Sequence, residues 1–318
     1  MGISLVKDVQ AIRMGVIGMT KGNGHPYSWS AIINGYDRER MTKECPFAGI
    51  PVYLNAKPSE AFGIDGVRVT HVYCNDRKDA EHVSQLSLVP QVVGSPEEMI
   101  GAVDAVLIAT DIGGEHVERA RPFVEAGVPI FIDKPLCDNA ADLSVFENWV
   151  KEGAAILSSS STRFATEYAP YQYPNAPLGE WRFIAMPMAK YWETYGIHAL
   201  EAVYSITGPG FVSVRNSGAA DRNIVHLKHQ SGADVVIACG KGIVYGSAMT
   251  LCGAGGNASV ITKDTFASFK AQLVEFADYL KSGVRPYPFS HTGELMRLVI
   301  AGILSREEGT REVFVDEI

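Results

Sequence analysis

The sequence predicts an α/β protein of two domains: an N-terminal doubly wound parallel sheet, then a C-terminal α+β domain on an open, mainly antiparallel sheet. Three observations predict it. Up to about Ser161, short apolar runs alternate with amphipathic stretches of helical length, the pattern of a sheet covered on both faces. Further on, four apolar runs follow one another without long helices between them, which favours antiparallel pairing. A glycine-rich segment directly follows the first apolar run. With 318 residues, 47% of them hydrophobic and 20% charged, the chain can bury two modest cores, and the domains are expected at 1–161 and 162–318.

Strands of the first domain read Ile12–Ile17, Val67–Tyr73, Ala105–Ala109, Val128–Ile132 and Ala154–Leu157, too short for helices and mostly rich in branched residues. Helices read Tyr27–Ile33, Glu115–Ala126 and Ala141–Glu152, the last two followed by Gly127 and Gly153 as left-handed C-terminal caps. Ser95-Pro96-Glu97-Glu98 reads as a further helix start, with a capping serine, proline at the first helical position and a glutamate three residues after the cap. Residues 36–66 form an insertion that either borders a site or decorates an edge of the domain. In the second domain the strands read Trp181–Met186, Val212–Asn216, Asn223–Lys228, Asp234–Cys239 and Gly242–Leu251. Helices over Ile197–Ile206, Thr265–Lys281 and Thr292–Ser305 cover one face of them.

Composition excludes several functions. The formal net charge is −8 without a basic cluster, so a nucleic acid meets a repulsive average field. No apolar run approaches the roughly 20 residues needed to span a bilayer, and the first residues do not read as a signal peptide; a soluble, cytoplasmic protein without a membrane partner is expected. The five cysteines are widely spread without a Cys-x-x-Cys pair, which reads as reduced thiols and no metal site. His226 and His229, three apart in a strand, fall on opposite faces and do not make one either.

The segment Gly18-Met19-Thr20-Lys21-Gly22-Asn23-Gly24 lies between a strand and a helix, the context of a phosphate cradle for a dinucleotide. Its spacing departs from G-x-G-x-x-G, with Thr20 in place of the second glycine. Gly18, Thr20, Gly22 and Gly24 are the candidate cofactor-binding residues of this loop. The second strand ends at Asp76-Arg77: Asp76 would take the ribose hydroxyls of NAD, Arg77 the 2'-phosphate of NADP, and a solvated helix cap is the third possibility. Asp133-Lys134-Pro135 sets a lysine at the carboxyl end of a buried strand, a candidate acid–base group. Burial and neighbouring positive charge would favour its neutral, basic form, and a cis Lys134–Pro135 bond would help aim it.

These blocks, with others in the same order, make the chain resemble the glucose-fructose oxidoreductase and inositol dehydrogenase family, Gfo/Idh/MocA, over nearly its full length. Ala105-Val106-Leu107-Ile108-Ala109-Thr110 followed by His116 looks like the family's strand toward the nicotinamide, and Glu125-Ala126-Gly127-Val128-Pro129 like its helix-to-strand turn. Asp133-Lys134-Pro135 resembles its acid-Lys-Pro motif, Tyr195-Gly196-Ile197-His198-Ala199-Leu200-Glu201 its Gly-x-His-x-x-acid block, and Ser305-Arg306-Glu307-Glu308-Gly309 its C-terminal tail.

The resemblance implies a Rossmann domain and an NAD- or NADP-dependent oxidoreductase acting on a carbinol carbon of a sugar, cyclitol or similar small molecule. It implies Lys134 as acid–base residue, Thr110 and His116 on the cofactor, and His198 beside the substrate hydroxyl. It also implies association into a homo-oligomer, a dimer or tetramer. Thr194 stands where many members carry an aspartate, and Met188-Ala189-Lys190-Tyr191-Trp192 stands in place of their glycine run. Lys134, Thr194, His198 and Trp192 are the substrate candidates, with Lys190, Tyr191 and Trp192 either a pocket wall or ordinary core and rim. Glu201, nearly one turn after His198, either orients the ring or only stabilises the helix. The alternative is a cofactor-binding, non-catalytic sensor or regulatory relative.

Overall fold

The computed structural model describes residues 2–318, which fall into two compact units, each discontinuous in sequence. The first runs to Lys134 and takes in Val145–Ser158 and Phe269–Tyr287. The second comprises Pro135–Ser144, Ser159–Ser268 and Pro288–Ile318.

Six parallel strands form the sheet of the first unit: β1 (Ile12–Ile17), β2 (Val67–Tyr73), β3 (Gln91–Val92), β4 (Ala105–Ile108), β5 (Ile130–Ile132) and β6 (Ile156–Ser158). Their spatial order is β3-β2-β1-β4-β5-β6, so the chain reverses direction across the sheet between β1 and β4, where loops at the carboxyl ends open a crevice. All residues of β4, β5 and β6 are buried, as a sheet covered on both faces requires. Trp29 packs edge-on to Phe131 at 5.4 Å, and Phe131 meets Phe276 at 5.6 Å. Each such fully buried ring contributes about 1.5–3 kcal/mol.

The helices are α1 (His25–Asn34), α2 (Arg38–Glu44), α3 (Gly49–Asn55), α4 (Arg77–Leu86), α5 (His116–Glu125) and α6 (Ala140–Lys151). Gly127 and Gly153 follow α5 and α6 with φ of 69° and 106°, the left-handed conformation expected of them. Residues 36–66 carry α2 and α3. Asp37 caps α2 by accepting from the Arg40 N–H at 3.0 Å, and Phe47, between the two helices, reaches the head of α1. A Cβ on Gly24 would stand 2.3 Å from the Phe47 ring. The insertion therefore borders the glycine loop.

Two expectations fail here. Ser95-Pro96-Glu97-Glu98 starts only a 3-10 turn, Pro96–Met99, without a bond from the Ser95 side chain. Met99 is buried against Gly15, where a Cβ would stand 2.4 Å from its sulfur, and Gly101 turns the chain away at φ 82°. The Lys134–Pro135 bond is trans, since Tyr173–Pro174 is the only cis peptide among the described residues.

The second unit holds β7 (Trp181–Ala189), β8 (Phe211–Asn216), β9 (Arg222–His229), β10 (Asp234–Gly240), β11 (Met249–Gly253), β12 (Gly256–Val260) and β13 (Val313–Phe314). Their order is β12-β11-β7-β10-β9-β8-β13. Only β7 and β10 pair in parallel; the other neighbours are antiparallel. Helices α7 (Ile197–Thr207) and α9 (Phe289–Glu307) pack on this sheet, and α8 (Thr265–Ser282) precedes α9. Along β9, Asn223, Val225, Leu227 and His229 are buried while Ile224 and Lys228 are exposed, which sets His226 and His229 on opposite faces. The strand expected over 242–251 is confined to β11: Gly242 and Gly246, at φ 89° and 83°, turn residues 241–248 into a loop. Among the described residues no helix is long and apolar enough to cross a membrane.

Candidate active site

The first unit gathers loops at the carboxyl ends of β1, β4 and β5. Gly18 starts the first loop, its N–H donating to the Tyr73 carbonyl at 3.0 Å. A Cβ there would stand 3.1 Å from the Ala109 oxygen, so the glycine serves close approach of two strands. Thr20 Oγ1 donates to Asp111 Oδ1 at 2.5 Å, and Asp111 Oδ2 lies 3.7 Å from Lys134 Nζ. Lys134 is 3% exposed. The carboxylate of Asp111 stands beside its ammonium-bearing end, and that of Asp133, the residue before it, accepts its backbone N–H.

Asp133 is saturated with donors. Its Oδ2 accepts from Asn23 Nδ2 at 2.8 Å and from His25 Nδ1 at 2.6 Å, and its Oδ1 from the Lys134 N–H at 2.8 Å. Burial works to raise its pKa, but the charges of His25 and Lys134 and the bonds from His25 and Asn23 outweigh it and hold the carboxyl well below the usual range. The His25 ring stacks on Trp29 at 4.8 Å and meets the edge of Phe269 at 5.1 Å. The lysine's backbone thus hangs from a carboxylate fixed by the first turn of α1.

His116, at the head of α5, is fully buried, and its Nε2–H donates to the Thr110 carbonyl at 3.0 Å, with Thr110 Oγ1 at 3.1 Å. Asp76 is exposed at the end of β2 and caps α4 by accepting from the Lys78 N–H at 2.9 Å. Arg77 pairs with Glu81 at 2.9 Å. The Cys74 thiol near them is pushed up to about 12, chiefly by burial, so it is protonated and inert.

A second cluster lies in the second unit at the head of α7, where Trp192–Gly196 forms a π-helical turn, a local distortion frequent at functional sites. His198 Nδ1 lies 2.6 Å from Ser160 Oγ, and Thr162 Oγ1 donates to the His198 carbonyl at 2.7 Å. Glu201 accepts the Ser160 N–H at 3.0 Å and pairs with Arg163. Its pKa is raised by burial, which the Arg163 charge opposes. Glu201 therefore acts on His198 at one remove, by fixing Ser160. Tyr195 meets the His198 ring edge-on at 4.9 Å and Tyr245 at 5.7 Å. Thr194 is half-buried in the π-helical turn.

Trp192 needs correction as a substrate residue. Its side chain is fully buried against Gly196 and Gly302, and Nε1 donates to the Val299 carbonyl at 2.9 Å; it is core. Sequence reasoning missed Asn23, His25, Asp111, Ser160, Tyr195 and Tyr245. The acid of Asp133-Lys134-Pro135 was a signal that a cationic or amide partner must exist, and His25-Pro26 after the glycine loop was a place to look. No group of three His, Cys, Asp or Glu suited to a metal ion occurs among the described residues.

Residues 12–160 match the model of the Gfo/Idh/MocA oxidoreductase family with its NAD-binding Rossmann fold. An inositol 2-dehydrogenase of Rhodococcus erythropolis is 32% identical over 114 residues, covering 35% of this chain and 33% of that protein. The chain thus spans about a third of that curated relative's length. The solved structure of a probable dehydrogenase from Thermotoga maritima superposes with a TM-score of 0.76 at 17% identity, covering 96% of this chain and 100% of the other. Apo scyllo-inositol dehydrogenase from Lactobacillus casei gives 0.75 at 12% identity, covering 98% and 100%. The last two likenesses show the fold, and the match over residues 12–160, which spans β1 to β6, makes that part of the chain similar to the NAD-binding Rossmann domain of the Gfo/Idh/MocA oxidoreductase family.

Proposed function

We propose that this protein is a nicotinamide-dependent dehydrogenase or reductase interconverting an alcohol and its carbonyl form in a sugar, cyclitol or similar small polar molecule. The observation that carries the proposal is Lys134, a buried lysine at the carboxyl end of β5, its Nζ 3.7 Å from Asp111 in the crevice where the strand order reverses. Support for the substrate class comes from the inositol 2-dehydrogenase relative and from a similar fold solved with NAD(H) and myo-inositol.

The residues fit the cofactor through the loop. At Gly22 the backbone takes φ 91° with no atom within 4 Å of a Cβ position, leaving room for a phosphate at the amides of 19–22, with Lys21 beside them. The first turn of α1 contributes less than in a regular cradle. The His25 N–H goes to Asn23 Oδ1 at 3.0 Å, Pro26 has none, and the N–H groups of Tyr27 and Ser28 return to the Gly24 carbonyl. Asp76 takes the ribose, and Thr110 with His116 borders the nicotinamide end. When bound, the nicotinamide supplies or accepts the hydride. Lys134 Nζ moves the proton of the substrate hydroxyl, held in place by Asp111, which Thr20 holds in turn. His198, oriented through Nδ1 by Ser160, hydrogen-bonds the substrate oxygen, with Thr194 beside it.

The test is a hydride-transfer assay over sugars, cyclitols and small ketones with both dinucleotides, alongside cofactor binding by tryptophan quenching. Binding without turnover on the whole panel supports a second reading, a cofactor-binding sensor, which Thr194 and the self-capped first turn of α1 favour. Binding of neither dinucleotide overturns both. Between the two, NAD is expected to bind about tenfold more tightly than NADP, because the exposed Asp76 carboxylate repels a 2'-phosphate while Arg77 is engaged by Glu81. Asp76→Asn keeps the α4 cap and should narrow that ratio in the same titration. The working form is read as a cytoplasmic homo-oligomer that associates through the open sheet face, where Phe183 and Ile224 are exposed.

A further inference from the structure

Resting on the dehydrogenase reading, we propose that the substrate carries an anionic group, a carboxylate or a phosphate, and that Lys190 binds it. Lys190 follows β7 with φ 63°, a left-handed conformation that a side-chain-bearing residue adopts at a cost of about 1–2 kcal/mol. Such strain persists where the surroundings enforce it, and it concentrates at functional sites. Here it delivers the ammonium onto Tyr195: Nζ lies 2.5 Å from Tyr195 Oη and 4.1 Å from the ring centroid. The same ring meets His198 edge-on at 4.9 Å. One aromatic ring therefore separates this cation from the histidine assigned to the substrate oxygen.

The charge is not neutralised locally. Glu193 is committed to Arg306 and Glu201 to Arg163, and among the described residues no carboxylate pairs with Lys190. Its recorded partners are a neutral phenol and a π-face. In a chain of net charge −8, an exposed ammonium that lies against an aromatic ring whose edge meets His198 is a site for an anion rather than for a neutral polyol. A charge-assisted hydrogen bond of this kind is worth about 10- to 100-fold in affinity.

Calorimetric titration of the full chain, with and without bound dinucleotide, tests this with four probes: glucuronate, glucose 6-phosphate, glucose and myo-inositol. One or both anions should bind about 10- to 100-fold more tightly than the neutral pair, and which of them does so distinguishes carboxylate from phosphate. Lys190→Gln should erase the preference and Lys190→Arg retain it. Lys190→Gly removes the charge while relieving the backbone, so its melting midpoint should not fall and its loss of preference cannot be ascribed to unfolding. Equal affinity for charged and neutral probes, or a preference that survives Lys190→Gly, overturns the assignment. Turnover confined to neutral polyols also overturns it while leaving the dehydrogenase reading intact. Lys190-dependent anion binding without turnover of any probe or panel member sinks the dehydrogenase reading and leaves the anion site standing.

Discussion

Lys134→Ala is expected to lower the rate of hydride transfer by about 100- to 10,000-fold, the range for removal of a positioned acid–base group, while the dinucleotide still binds. The side chain is buried in the crevice with Asp111 as its ion-pair partner, so its deletion removes a proton carrier and leaves the glycine loop, Asp76 and Thr110 in place. Lys134→Arg separates charge from proton transfer. A guanidinium preserves the positive charge toward Asp111 but does not give up its proton, so a rate as low as that of alanine assigns the lysine to proton movement. Pre-steady-state turnover, together with fluorescence titration of the dinucleotide, reads both quantities. Equal rates for wild type and Lys134→Ala would remove the lysine from the reaction.

The larger effect on stability belongs to His25. Taking one donor from a buried charged group typically costs about 1–3 kcal/mol, and His25→Ala does this to Asp133, which keeps Asn23 and the Lys134 N–H. Denaturant unfolding should show a loss of that size, with a smaller loss for Asp133→Asn, which keeps the shape and removes the charge. Acid dependence adds a separate signature. Burial alone would raise the Asp133 pKa, but His25, Lys134 and Asn23 depress it, so the carboxylate contributes stability that is complete above its unfolded pKa, about 4. That contribution is lost as pH falls through the lower folded value. Unfolding free energy measured below about pH 4 should decline less steeply for Asp133→Asn than for wild type.

Much of the architecture was legible because periodicity reports burial directly: the fully buried runs of β4 and β5 and the alternating face of β9 each appear in the sequence as they fold. The misses have local causes. A helix start at Ser95 was written in capping chemistry, but buried Met99 and the left-handed Gly101 leave it no length. The strand expected over 242–251 carries two glycines whose backbones turn it into a loop, while β3 and β13, two residues each, are defined by their neighbours rather than by their own pattern. The site divides the same way. Lys134 and His198 stand in short motifs, whereas the Asp133 partners lie 110 and 108 residues earlier, and Ser160 lies 38 residues before His198. Such pairings are products of tertiary structure, and no local pattern carries them.

The return of Phe269–Tyr287 to the first unit has a consequence for synthesis. Phe276 completes the packing of Phe131, Arg285 donates to the carbonyls of Ile156 and Ala154, and Tyr287 to that of Ser158. A chain leaving the ribosome thus cannot close its first unit when β6 emerges, because the parts that cover β5 and β6 are made more than a hundred residues later. The two units are interleaved in time as well as in sequence: the nascent first unit must wait, incompletely covered, until residues 269–287 have been translated.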